Sequence, residues 1–413
     1  EAAESLDARS LADALIASRT LTEWQASRLL QGRHQGFILG GYRLLSILGR
    51  GAMGTVYLAE HSMLRRRCAL KVLMSRHVEN STQQDRFTRE VQAVALLDHP
   101  NIVAAYDAGM VTEGNRDIYF LAMEFVDGRN VSELVRVAGP PSPVRTAEYA
   151  RQTADALDHA HSAGLIHRDI KPGNLMVDER DAVRILDLGL AVALDGNLND
   201  DSSLSSSDRV NPLETANYVA PEQFGDVQNV DARADIYSLG CTMYFMLTGR
   251  PPTRRGNVIQ RLLGQQRPEP TPIVELNPEV PASLSEIVEQ MMQATIEDRF
   301  ASCAEVRSAL TNWLIENADT NWRNLHPELM AAHGSTSSPF AWDEDSWSIK
   351  SSDTLVDLPL FDAESLPVET NAPIETQIPM GKEPAIGVEA TSELTAASEI
   401  DAASAQSPTE RAE

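Results

Sequence analysis

Apolar positions along the first 40 residues recur at helical spacing. Leu11, Leu15 and Ile16 share one face, and Thr22-Glu23-Trp24-Gln25 is a capping-box pattern that opens a second helix carrying Trp24, Leu29 and Leu30. The period then shortens. Residues 42–48 and 56–58 have strand character, and 69–73 that of a buried strand. Phe87, Val91 and Val94 return to helical spacing near 83–97, and further strands are expected around 102–109 and 117–125. From 130 to 316 helices dominate. Ala147, Ala150, Ala154, Leu157 and His161 mark one face of a helix that Gly164 ends, and Ile236, Leu239, Met243 and Leu247 mark another that stops near Gly249. A strand-rich part thus precedes a helix-rich part, the order expected of an α+β protein with two lobes and a cleft between them.

From about residue 320 no period emerges. Acidic residues outnumber basic ones there by roughly four to one, and Ser, Thr, Ala and Pro abound, a composition that does not support a core. The expected organisation is a helical extension over 1–40, a folded body over 42–316 divided near 125, and an acidic, disordered tail over 320–413.

Composition narrows the function. A net charge of -25 argues against a nucleic-acid partner and against attachment to anionic lipid through basic patches. The tail carries over half of that charge, so the folded body is only mildly acidic. Cys68, Cys241 and Cys303 are widely spaced and form no CxxC or metal-ligand pattern, so free, buried thiols in a reducing compartment are expected. No apolar run approaches the roughly 18–20 residues that span a bilayer. No signal peptide opens the chain, and a cytoplasmic location is the expectation. The chain starts at Glu1 rather than Met, as a fragment does, and a flank beyond it has room for a membrane anchor. Oligomeric state is not legible.

Gly49-Arg50-Gly51-Ala52-Met53-Gly54 lies between two strand candidates. Glycines let a backbone approach a polyphosphate closely, although a plain glycine hairpin reads the same way. A Walker loop is excluded because no Gly-Lys-Ser/Thr follows, and a dinucleotide fingerprint because a strand, not a helix, comes next. Lys71 sits in the apolar strand Ala69-Leu70-Lys71-Val72, where an ammonium needs a partner. ATP phosphates and the helical Glu90 are the candidates; an exposed lysine and an exposed glutamate are the alternative.

His167-Arg168-Asp169-Ile170-Lys171-Pro172-Gly173-Asn174 is far more specific, since several polar residues crowd a loop between apolar segments. Phosphoryl transfer to a hydroxyl needs a carboxylate for the proton, cations on the phosphates and oxygen ligands for Mg²⁺. Asp169 supplies the first, Lys171 the second, and Asn174 with Asp187 the third, a ligand set of one carboxylate and one amide that suits Mg²⁺.

With these motifs in this order, the chain resembles the protein kinases, most closely the bacterial Hanks-type serine/threonine branch, over roughly residues 42–316. The resemblance implies a bilobal protein kinase fold, with a small antiparallel-sheet lobe over 42–125 and a larger, mainly helical lobe over 126–316. It implies ATP and Mg²⁺, or Mn²⁺ in its place, and protein substrates phosphorylated on Ser or Thr. Leu48, Gly49, Gly51, Gly54, Val56 and Ala69 would enclose the nucleotide, with Met123 behind the adenine and Glu124 to Val126 as the hinge between lobes. Lys71 would bind phosphates and pair with Glu90. Asp169 would be the catalytic base, and Asn174 and Asp187 the metal ligands. Thr215 would bridge Asp169 and Lys171, Glu222 of Ala220-Pro221-Glu222 would pair with Arg299, and Asp235 would brace the catalytic loop. Leu188 stands where Phe is usual, and Glu214 and Ala216 flank Thr215 where Gly and Pro are usual.

Arg168 beside Asp169 is a cation awaiting an anion. Ser202, Ser203, Ser205, Ser206 and Ser207 lie in the segment between Asp187 and Glu222, so autophosphorylation there is expected. His99, His159, His161 and His167 take structural roles. The leader around Trp24 and Phe37 resembles that of planctomycete kinases. Two other readings compete: a kinase-fold signalling scaffold with little catalysis, which the presence of Lys71, Asp169, Asn174 and Asp187 opposes, and a small-molecule kinase, which Lys171 and Ala220 to Glu222 oppose.

Overall fold

Alternation of side chains builds the first lobe. Strands β1 (Ile38–Leu39), β2 (Tyr42–Gly51), β3 (Gly54–His61), β4 (Arg67–Leu73), β5 (Ala105–Glu113) and β6 (Arg116–Glu124) form an antiparallel sheet in the order β1-β2-β3-β4-β6-β5. On β4, Cys68 and Leu70 join an outer apolar layer with Tyr42, Leu44, Ala59 and Phe120. Ala69 and Leu73 join an inner layer with Val103, Leu121 and Met123. Lys71 lies between those two inner residues, which is how a buried lysine comes to face the cleft. Helix α3 (Ser81–Ala95) lies on the inner side, with Val91 in the inner layer. The computed structural model describes residues 7–51, 54–73, 81–114, 116–188, 217–224, 230–252 and 270–335.

Ahead of the sheet, helix α1 (Ala8–Ala17) starts at an Asp7 cap and α2 (Glu23–Leu30) at the Thr22/Gln25 capping box. Trp24 of α2 packs edge-to-face on Phe37 and Tyr57, so the extension covers the outer layer.

The second lobe is helical around α5 (Pro143–Ser162) and the helix we number α6 (Arg233–Thr248), with β7 (Gly128–Asn130) and α4 (Val131–Ala138) before them. Strands β8 (Leu175–Asp178) and β9 (Val183–Ile185) extend β7 into a small antiparallel sheet. Helices α7 (Ile273–Leu276), α8 (Ala282–Met291) and α9 (Cys303–Asn317) complete the body. The faces marked by Ala147, Ala150, Ala154 and Leu157 and by Ile236, Leu239, Met243 and Leu247 are wholly buried. The second helix stops where Gly249 takes a left-handed φ of 70°. The lobes are tied by a bridge between Ile102 and Ile185.

Two boundaries differ from expectation. The sheet begins at Ile38, four residues early, because β1 folds back on β2. Helices α10 (Thr320–Leu325) and α11 (Pro327–Ser335) occupy the start of the stretch expected to be an acidic tail. One residue explains this: Trp322 is buried, donates its indole N–H to Glu148 at 3.0 Å and stacks on His326. Beyond it, among the described residues, only Leu329 and Met330 of these helices pack against the core, too few apolar positions to make a period. The three cysteines are free and buried as expected, and burial pushes the Cys68 thiol up to about 11. The tail beyond 335 lies outside the described residues.

Candidate active site

The loop from His167 to Asn174 is held from below by one carboxylate. Asp235, fully buried on α6, accepts the backbone N–H groups of His167 at 2.8 Å and Arg168 at 2.7 Å, and meets His161 Nε2 at 2.8 Å. A buried carboxylate needs such donors. Their convergence obliges Arg168 into a left-handed φ of 64°, a strained conformation that the surrounding bonds enforce. Gln223 Nε2 donates to the Arg168 carbonyl at 3.0 Å and so fixes the other side of the same residue. Nothing in the sequence singled out Gln223; only its position directly after Ala-Pro-Glu could have suggested it.

His167 is fully buried. Its Nδ1 accepts from Asp169 N–H at 3.2 Å, which leaves the N–H on Nε2 to donate to the Leu186 carbonyl at 2.9 Å. The imidazole therefore joins the catalytic loop to the strand end that delivers Asp187, the structural role expected for it. Asp187 follows with a φ of 56°.

Above this frame the side chains gather in two clusters. The Asp169 carboxylate receives Lys171 Nζ on both oxygens, at 2.9 and 2.7 Å, and Asn174 Nδ2 at 2.9 Å. The same Nδ2 donates to the Asp169 carbonyl at 2.7 Å, which leaves the Asn174 amide oxygen for a cation. Lys71 Nζ stands 2.8 Å from Asp187 Oδ1. Burial alone would raise the Asp187 carboxyl, but the bonded Lys71 ammonium, together with the other positive groups around it, outweighs burial and holds the carboxyl below the usual carboxylate range. Its contribution to stability is therefore complete above the ordinary carboxylate value and is lost only as pH falls through the lowered one. Among the described residues no three His, Cys, Asp or Glu side chains converge as a metal cage. One carboxylate and one amide oxygen suit a cation that draws its other ligands from phosphate and water.

Glycine has different reasons at different points of the loop. At Gly54 a Cβ would lie 1.9 Å from the Val72 carbonyl oxygen, so sheet packing alone demands glycine. At Gly49 and Gly51 an added Cβ would meet nothing within 4 Å, so packing within the described residues does not demand glycine there. Val56, Ala69, Met123 and Val126 share the inner apolar layer, as the surface for a flat aromatic base would require. Leu48, on β2 just before Gly49, is exposed. Glu124 pairs with Arg184 at 3.5 Å. Glu90 is half-buried on α3; the ion pair shown for Lys71 is the one to Asp187. Behind Asp187, Val94, Val103, Leu121, Met123 and Leu188 line a small apolar cavity. Gly189, Ser202, Ser203, Ser205, Ser206, Ser207, Glu214, Thr215 and Ala216 lie outside the described residues.

The Glu222–Arg299 pair is present as a two-bond fork at 2.7 and 2.9 Å. The Arg299 guanidinium also serves the carbonyls of Gln293 and Arg233 and lies over the Tyr237 ring.

Comparison with known proteins agrees with this geometry. Residues 42–311 match the family described as the protein kinase domain. Serine/threonine-protein kinase PknB of Mycolicibacterium smegmatis is 36% identical over 269 residues, 65% of this chain and 42% of that protein. PknB of Mycobacterium tuberculosis H37Rv is 37% identical over 270 residues, with the same coverage of 65% and 42%. The chain thus spans less than half the length of these relatives. The crystal structure of the Mycobacterium tuberculosis PknI kinase domain superposes with a TM-score of 0.51 at 28% identity, covering 67% of this chain and 98% of that one. The two-lobed body with its Asp235-braced loop and its Lys71–Asp187 pair is a protein kinase fold, and the chain belongs to the protein kinase family.

Proposed function

We propose that the chain transfers the γ-phosphate of ATP to Ser and Thr hydroxyls of proteins. The observation that carries this is the pair of clusters joined through His167: Asp169 with Lys171 and Asn174 on one side, Lys71 with Asp187 on the other. Asp169 orients the attacking hydroxyl and takes its proton at a carboxylate oxygen whose direction Lys171 and Asn174 fix. Lys171 follows the charge of the phosphoryl group in flight, and Lys71 leaves Asp187 for the phosphates of bound ATP, steadied by Glu90. Asn174 and Asp187 would hold Mg²⁺, which when bound neutralises charge on the phosphate oxygens. Mn²⁺, with the same preference for oxygen, would take its place. The inner apolar layer of Val56, Ala69 and Met123 excludes water from the adenine side, with Glu124 to Val126 as hinge. Three free thiols support a reducing, cytoplasmic setting. Among the described residues no helix is long and apolar enough to cross a membrane.

The direct test is label transfer from γ-phosphate-labelled ATP to a generic protein substrate with Mg²⁺. Phosphoserine and phosphothreonine are the expected products, and Lys71→Met is expected to lower the rate by about 10²-fold or more. An active Lys71→Met variant would refute the assignment.

The reading extends to regulation. Arg168 is held by both backbone groups, and its guanidinium makes no hydrogen bond or ion pair among the described residues. A phosphate on Ser202, Ser203, Ser205, Ser206 or Ser207 is the anion that fits it. After incubation with Mg²⁺ and ATP, mass spectrometry is expected to find phosphate between residues 187 and 222, and none in Asp169→Asn. An unmodified segment in an active enzyme would remove this reading.

A further inference from the structure

Strand β2, which becomes the glycine loop, is almost an edge strand. Its outer neighbour β1 pairs only with Tyr42 and Arg43, and Phe37 then accepts the Leu44 N–H at 2.8 Å. From Leu45 to Gly51 no strand covers that side among the described residues. The pairing of β2 with β3 is also loose, with irregularities between Leu44 and Ser46 and between Ile47 and Gly49. An edge of this kind slips register unless something pins it.

Helix α2 pins it, through the two residues of its own capping box. Gln25 is buried; its Oε1 accepts Thr22 N–H at 3.0 Å, while its Nε2 donates to the Leu44 carbonyl at 2.7 Å. Thr22 Oγ1 accepts Gln25 N–H at 3.2 Å and donates to the Leu45 carbonyl. Each side chain thus starts the helix with one atom or lone pair and clips the strand with the other. The two carbonyls they hold sit at the first irregularity, four to five residues before Gly49. Trp24, between them in sequence, seats the helix on Phe37 and Tyr57.

We propose that α2 is a clip that positions the nucleotide loop, with Gln25 and Thr22 as its positioning residues. The proposal rests on the reading of Gly49 and Gly51 as the ATP-phosphate cradle. Neither residue touches the nucleotide; they act through the register and stiffness of β2, and hence on ATP affinity rather than on the phosphoryl-transfer step.

Gln25→Glu tests this cleanly. The carboxylate keeps the capping acceptor for Thr22 N–H but turns the donor to Leu44 into a repelling oxygen. Losing one such bond is expected to raise the KM for ATP, and the Kd of a non-hydrolysable ATP analogue, by about fivefold. The kcat at saturating ATP is expected to stay within about twofold, because the Asp169 cluster is untouched. Thr22→Val is expected to move the same constants in the same direction, and Thr22→Ser, which keeps both bonds, to restore them. Amides of residues 46–51 are expected to exchange faster in Gln25→Glu even without nucleotide. Wild-type analogue affinity and wild-type exchange in both folded variants would overturn the clip. Global unfolding of both would overturn it too, since a clip on one strand leaves the lobe standing. A wild-type chain that binds no ATP would instead defeat the reading of the cradle, while amide exchange would still judge the clip.

Discussion

Asp169→Asn is expected to lower kcat by about 10³-fold, within the range for removing a positioned general base, with ATP affinity little changed. The amide matches the carboxylate in shape, and one oxygen remains to accept from Asn174. What disappears is the charge that engages both bonds of Lys171 and, on the proposed role, the proton acceptor. The frame beneath does not depend on that charge, because Asp235 and His167 hold the backbone. Steady-state kinetics alongside a thermal melt separate the two effects: unchanged melting with collapsed turnover is the expected pair of results. Turnover within tenfold of wild type would take Asp169 out of the chemistry.

The largest stability effect is expected at Arg299. Its side chain is wholly buried, and it forks onto Glu222 while bonding the carbonyls of Gln293 and Arg233. Arg299→Ala leaves a largely covered carboxylate and those carbonyls without their donor. Breaking one side of such a pair costs about 3–5 kcal/mol, which in a body of this size lowers the melting temperature by roughly 10 °C. Arg299→Lys is expected to recover little, since an ammonium cannot reproduce the fork. The double variant Glu222→Ala/Arg299→Ala is expected to lose less than the sum of the single ones, and differential scanning calorimetry on all three measures that coupling. A melting temperature unchanged in Arg299→Ala would remove the pair from the account of the fold.

The cluster around Asp169 was legible because its residues are neighbours in the chain. Asp169, Lys171 and Asn174 fall within six positions, and their mutual bonds follow from that spacing. The helix starts were legible for the same reason: a capping box is a local pattern, and the Thr22–Gln25 box is where it was expected. What the pattern could not carry was the second use of those side chains, because the Leu44 and Leu45 carbonyls are claimed across the fold. Lys71 illustrates the same limit. Its burial could be inferred from the apolar strand around it, but the 2.8 Å ion pair with Asp187 joins residues 116 positions apart, which no local pattern can show. Helices α10 and α11 had no repeating apolar face to show, because Trp322, with Leu329 and Met330, makes their apolar contacts with the core. Gln223 escaped because a glutamine bonding a backbone carbonyl has no periodic signature at all.

Asp235 lies 68 residues beyond His167, where the loop whose backbone it holds begins. A chain emerging from the ribosome therefore displays Lys71, Asp169, Lys171, Asn174 and Asp187 well before it can arrange them. The sheet lobe, made of neighbouring hairpins, can close early; the catalytic loop has no floor until α6 is made. The arrangement of these side chains is thus tied to the order of synthesis: a chain that ends before α6 carries every one of them without the floor that holds the loop.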